Sequence, residues 1–202
     1  MDNKAMYKLG YGLYVLTARD DKDNGCIVNT VMQITSAPNR IIAGVNKLNK
    51  THNMISKTHK FNISVLSVHA DFDLFRHFGY QSGADIDKFE GYDKAERSQN
   101  GIFYITEGTN AFFQAEVVEM VDCGTHTLFI ADVKDAKVMN QEASVTYEYY
   151  QEHIKPKPKR EEGQKRGYRC KICGYTYEGD ELPQDFVCPV CKHGADDFEK
   201  IQ

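Results

Sequence analysis

Two C-x-x-C pairs, Cys170/Cys173 and Cys188/Cys191, constrain the folding of this chain more than any other feature. The segment 168–202 that carries them is too short to hold itself together by apolar burial alone. Four thiolates closing on one tetrahedral metal supply both a site and a fold. A disulfide reading is weaker. The start, Met1-Asp2-Asn3-Lys4, lacks the apolar core of a secretion signal, so a reducing, cytoplasmic setting is expected. Zinc ribbons use similar spacing, so zinc stays open beside iron. Three features favour iron. Gly174 follows the second cysteine, where a tight loop can aim backbone N–H groups at sulfur. Cys188-Pro189-Val190-Cys191 makes the matching second loop. Tyr168, Tyr175, Tyr177, Phe186 and Phe198 can shield the centre from water, although so small a domain needs aromatics simply to fold around its metal.

Upstream, the stretch 154–167 has almost no apolar residue, two prolines and a basic run. It reads as an exposed linker. The division expected is a domain over 1–153, a linker over 154–167 and a small metal domain over 168–202. The net charge of −4 argues against a nucleic-acid partner, and no apolar run is long enough to span a membrane.

The first domain reads as strands. Tyr11–Arg19, Ile41–Val45, Phe61–Val68, Gly101–Ile105, Phe112–Val121 and Thr125–Val138 are β-rich. Cys26–Thr35 alternates throughout and is expected as one strand, with Cys26, Val28, Thr30, Met32 and Ile34 on one face. Short helices are expected near Asn49 or Thr51, near Asp71 and near Ala143. Many strands with few helices give a mainly β fold, a barrel or sandwich. No G-x-G-x-x-G motif opens a helix after a strand, so a Rossmann domain is not expected.

The C-terminal motif, Cys170-x-x-Cys173-Gly174-Tyr175-x-Tyr177 followed by Asp185-Phe186-Val187-Cys188-Pro189-x-Cys191, resembles rubredoxin. It departs from stand-alone rubredoxins in the short spacing between its pairs and in having Phe186 where tryptophan is usual, which makes it similar to the module that ends rubrerythrins. The first domain resembles the flavin reductase family with an FMN-binding split β-barrel. The resemblance rests on Gly25–Pro38, Val45–Ile55, Phe75–Gly79 with Asp87-Lys88-Phe89, Gly124–Phe129 and Thr146–Tyr150, in that order. The combination is closest to the flavoredoxin-like branch and to the fusions called high-molecular-weight rubredoxins.

The resemblance implies FMN as cofactor and NAD(P)H as substrate. Lys47, with Asn46, Asn49 and Thr51 at the start of a helix, is expected at the phosphate, which wants a cation and free backbone N–H groups. A helix cap with a solvated lysine is the bland alternative. Asn29, Thr30 and Gln33 are expected at the isoalloxazine edge, and His126 on the substrate side, although a lone histidine is more often structural. A nicotinamide gives two electrons as hydride and a four-cysteine iron takes one at a time, a mismatch that flavin bridges. The function implied is that of a flavin-dependent NAD(P)H:rubredoxin oxidoreductase, a homodimer. Its acceptor would be a flavodiiron oxygen or nitric oxide reductase, or a rubrerythrin. The alternatives are an FMN-binding module with a structural zinc ribbon, and an FMN/iron carrier that does not itself oxidise NAD(P)H.

Overall fold

The computed structural model describes residues 5, 8–156, 167–172, 174–189 and 193–201. Cys173, Cys191 and most of the expected linker lie outside the described residues. Seven strands, β1 (Tyr14–Arg19), β2 (Asp23–Val28), β3 (Val31–Ser36), β4 (Asn39–Asn46), β5 (Lys60–Leu66), β8 (Thr109–Asp122) and β9 (His126–Val138), form one antiparallel sheet in the order β2-β1-β5-β8-β9-β4-β3. A small hairpin, β6 (Ala95–Arg97) with β7 (Phe103–Ile105), stands beside it.

The two edge strands of that sheet, β2 and β3, are consecutive in sequence and joined only by Asn29 and Thr30. Laid flat, the edges of seven strands would be about 29 Å apart. The two-residue joint spans at most about 11 Å. The sheet must therefore roll up, and it does: Cys26 and Val28 of β2 share one core with Ile41, Ala43 and Val45 of β4, while Gly44 N–H donates to the Thr30 carbonyl at 2.8 Å and carries the β3–β4 ladder up to the joint. This corrects the expectation of one strand over Cys26–Thr35. The break also swaps faces. Cys26 and Val28 point into the barrel, and after the corner Val31 packs inward while Met32 is 63% exposed.

The barrel interior holds Leu16, Phe61, Ile63 and Phe129, and helix α1 (Lys50–Thr58) adds Met54 and Ile55. Burying each such side chain contributes roughly 1.5–3 kcal/mol. A second core forms where α2 (Phe72–Gly79) and the hairpin cover the outer face. There Val15, Leu66, Phe75, Phe78, Ile105 and Tyr150 pack together. β1 lies between the two cores, which is why Val15, Leu16, Thr17 and Ala18 are all buried in succession. Asp71 starts α2 by accepting a hydrogen bond from Leu74 N–H at 2.8 Å. The third helix, expected near Ala143, begins at Tyr147 behind the Thr146 cap, because Ser144 is held in a bridge to Ser67. A π-helical turn, Tyr150–Ile154, ends the barrel domain, and Ile154 packs against the second core.

The C-terminal module is a three-stranded sheet in the order β11-β10-β12, built from β10 (Gly167–Cys170), β11 (Thr176–Tyr177) and β12 (Phe198–Ile201). Cys170, Cys188 and Phe198 are its buried centre. Phe186 stacks edge-on against Phe198 and Tyr177, with ring centroids 5.3 and 4.8 Å away.

Candidate functional site

A cavity of about 360 Å³ opens at the barrel seam. Its walls come from β2, from the β4–α1 loop, from the end of α2 and the loop after it, and from Tyr147, Tyr150 and Gln151. Five residues expected at a site from sequence meet there: Asn29, Asn46, Asn49, Thr51 and His126. The β4–β9 register pairs Asn46 with His126 directly, so the end of one strand and the start of the next present both to the same opening.

Three expected residues are not brought to the cavity. Thr30 turns its side chain against Gly44 and donates its hydroxyl to Asn29 Oδ1 at 3.2 Å, so it orients a lining amide without itself lining. Gln33 lies beyond the seam on exposed β3, where Nε2 donates to Asn39 Oδ1 at 3.1 Å. Lys47 points outward and pairs with Asp122 at 2.7 Å, a contact that holds the Asp122 carboxyl below its usual range. A cation that does line the cavity at the start of α1 is Lys50, whose ammonium donates to the Gly83 carbonyl at 3.1 Å.

The first turn of α1 fits an anion. Asn49 begins the helix without a side-chain hydrogen bond, and no carboxylate occupies the first turn. Its leading N–H groups are therefore not capped by a side chain, and the helix dipole favours negative charge there. Thr51 is fixed from below: its hydroxyl accepts from Asn24 Nδ2 at 3.0 Å, both residues being buried.

Lys88, only 2% exposed, forms part of the lining. Its Nζ donates to the carbonyls of Gly25 at 2.8 Å and Phe78 at 2.9 Å. Burial pushes it down to about 8, opposed by the neighbouring Cys26. Burial likewise pushes the Cys26 thiol up, against Lys88 and a hydrogen bond with Thr51. His126 is lowered, first by desolvation and then by His193 and His52. Its Nδ1 lies 2.9 Å from Thr125 Oγ1, and the neighbouring His52 Nε2 lies 2.8 Å from Thr127 Oγ1. Sequence reasoning assigned no role to Lys50 or Lys88. Lys50 sits three residues past Lys47, and Lys88 enters only as part of the Asp87-Lys88-Phe89 motif, with no role attached.

One wall of the cavity comes from the C-terminal module. Ile172, between the first two cysteines, Pro189, next to Cys188, and His193 all face it. Cys170 and Cys188 are buried behind them, and backbone bonds shape both loops. Cys170 N–H donates to Tyr175 O at 2.8 Å, Gly174 N–H to Cys170 O at 2.9 Å, and Cys188 N–H to His193 O at 2.8 Å. Gly174 takes φ +80°, a left-handed conformation that favours glycine and lets the first loop turn back under its cysteine. Two buried thiols, each with its backbone N–H held by one of these bonds, suit a thiolate metal centre that Cys173 and Cys191 would complete.

The sequence matches the flavin reductase like domain over residues 6–157 and the rubredoxin-like domain of rubrerythrin over residues 168–199. The chain belongs to the flavin reductase-like family. Within it, the chain is 38% identical over 230 aligned positions to the high molecular weight rubredoxin of Moorella thermoacetica, with both proteins covered in full. It is 36% identical to the ferric-chelate reductase (NAD(P)H) of Archaeoglobus fulgidus, covering 79% of this chain and 93% of the relative. Among solved structures, the NADH:FAD oxidoreductase SgcE6 of Streptomyces globisporus shares the fold at a TM-score of 0.65 and 20% identity, covering 70% of this chain and 83% of that one. This flavin reductase-like chain is an NAD(P)H-dependent flavin oxidoreductase that carries its own rubredoxin-like electron-transfer module.

Proposed function

We propose that the chain takes electrons from NAD(P)H into FMN held in the seam cavity, passes them to iron bound by Cys170, Cys173, Cys188 and Cys191, and delivers them to a separate redox protein. One observation carries this reading: a single cavity borders both the first turn of α1 and the two cysteine loops. Bound FMN supplies the chemistry that accepts a hydride and releases single electrons.

The chain's own residues do the rest. The N–H groups at Lys50 and Thr51, with the Lys50 ammonium, hold the phosphate end. Asn29 and Asn46 offer amide donors and acceptors to the ring edge. Phe75, Tyr80 and Tyr150 give the cavity aromatic walls, and His126 stands at the mouth, where its low basicity keeps it neutral beside an incoming nicotinamide. The shell of Tyr177, Phe186 and Phe198 limits water around the iron.

Flavodiiron oxygen or nitric oxide reductases and rubrerythrin-type peroxidases are the acceptors proposed, in a cytoplasmic setting. No described helix is long and apolar enough to cross a membrane. The barrel is proposed to pair with a second copy. Met32, Ile42, Ile130, Leu128 and Val121 share the outer face of β3-β4-β9-β8 by register, and an apolar strip of that kind favours burial.

Anaerobic titration of the FMN- and iron-loaded protein with NADH tests the reading. Flavin and ferric absorption should both bleach, with more reductant consumed than the flavin alone requires. Flavin that bleaches while the iron stays ferric would overturn it.

A further inference from the structure

The cysteine module does not merely neighbour the cavity; it covers part of it. Ile172, Pro189 and His193 line the cavity together with His126, so the module walls the part of the opening where His126 stands. The cover is fastened from the barrel. The π-helical turn Tyr150–Ile154 ends with Lys155 N–H donating to Tyr150 O at 2.8 Å, which fixes where the Lys155 side chain leaves the barrel. Its Nζ then donates to the carbonyl of Ile172, in the middle of the first cysteine loop. Tyr150 and Gln151 of the same turn line the cavity, so one short element both walls the site and holds its cover.

The covered cavity has room for one occupant. At about 360 Å³ it lies near the lower end of the roughly 300–1,000 Å³ typical of a site for one small molecule. Hydride transfer needs the nicotinamide about 3–3.5 Å from its acceptor, face to face and free of anything between. A nicotinamide stacked on a ring held in this cavity needs the mouth that Ile172 and Pro189 line. Resting on the reading of this cavity as the flavin site, we propose that the cysteine module and the nicotinamide compete for one mouth, with Lys155 as the latch that holds the module in the docked position.

Turnover then alternates. With the module away, the nucleotide docks, leaves a hydride and departs as NAD(P)+. With the nucleotide away, the module docks through Ile172 and Pro189 and takes one electron. One hydride carries two electrons, so each nucleotide oxidised needs two dockings, and the hydride's proton returns to solvent. Between dockings the module delivers its electron to the outside acceptor. The same latch limits nucleotide access: a protein docked nine-tenths of the time binds nucleotide about tenfold more weakly than its bare cavity would.

The test uses a reduced nucleotide that cannot donate hydride, 1,4,5,6-tetrahydro-NADH, titrated against the FMN- and iron-loaded full chain and followed by the flavin absorption spectrum. Lys155→Met and Ile172→Glu should each bind it several-fold more tightly than the unaltered chain, and their flavin fluorescence should rise as the quenching iron leaves. A protease site placed within 157–166 and cleaved after loading removes the module by dilution without touching a docking contact. The cleaved, diluted protein should bind most tightly of all. Unchanged affinity in the cleaved protein overturns the competition, whatever the two variants do. A loaded protein that holds no flavin, or whose flavin NADH does not bleach, would strike the functional reading instead, and the same spectra show it separately.

Discussion

Lys88 Nζ lies 2.8 Å from the carbonyl oxygen of Gly25, placing a lysine that is almost wholly buried against the strand that forms the cavity wall. A neutral amine keeps two N–H donors, so the bonds to Gly25 and Phe78 survive deprotonation. Burial alone then sets the pH dependence. The folded value is about 8 against an ordinary 10.5. Below pH 8 both folded and unfolded chains are protonated, and the folded state carries the full desolvation cost. Between pH 8 and 10.5 the folded chain loses its proton first, so stability from this group rises with pH, by on the order of 3 kcal/mol in all. Cys26, with its raised thiol, acts in the opposite sense above its ordinary range, so the comparison belongs in a Cys26→Ala background. Urea unfolding at pH 7.5 and 10 should show the rise, and Lys88→Met should abolish it.

Lys50 and Lys47 make opposite predictions. Lys50→Glu should weaken FMN binding by about 2–5 kcal/mol, because it sets a carboxylate against the phosphate at the helix start. Lys47→Ala should change affinity by no more than about threefold, since it breaks only an exposed pair with Asp122. Fluorescence titration with FMN decides between them, and the reverse ranking would move the phosphate to the outer side of the loop.

Much of this was legible in the sequence, and the exceptions share a cause. The cysteine pairs, the strand-rich first domain and the start of α2 at Asp71 could be read because each rests on local residue spacing. The corner at Asn29–Thr30 could not. The alternation of residue types runs through it without a glycine or proline, and only the closure of the whole sheet forces the break. Lys47 and Lys50 are separated by the helix start, and a shift of three residues there moves a side chain from the inside to the outside. Lys88 carries no local signal, because its partners are backbone carbonyls 63 and 10 residues away.

Metal removal should split the protein's stability in two. Among the described residues of the module the buried apolar cluster is just Cys170, Cys188 and Phe198, so its fold depends on its metal. Chelation under reducing conditions should melt 168–201 while leaving the barrel transition within about 0.5 kcal/mol of its original value. Amide hydrogen exchange of the module's peptides, followed beside the flavin signal from the barrel, separates the two. Protein made in iron-replete anaerobic cells should carry about one iron per chain, and zinc alone in such material would count against an electron-transfer role.

Thr51→Val should cost about 1–3 kcal/mol of barrel stability. It leaves the buried Asn24 amide without the hydroxyl it donates to and removes the hydrogen bond that restrains the Cys26 thiol. Thermal unfolding of the FMN-free protein measures this directly. Thr51→Ser, which keeps the hydroxyl, should recover most of the loss.

The two-residue joint between opposite edges of the sheet also governs when the protein acquires its ligand. Asn29 lies at that joint, Asn46 at the end of β4 and Lys50 on the helix that follows, while Cys26 and Val28 of the facing wall belong to β2. A chain in which β2 has not yet been brought against β4 holds Cys26 and Val28 of one wall apart from Asn46 and Lys50 of the other and can offer no complete site. FMN therefore binds only the closed barrel, and free FMN at a hundred times its dissociation constant deepens the native state by about 2.7 kcal/mol without stabilising anything that precedes closure. In a cell, flavin supply would then set how much of the newly made chain survives proteolysis.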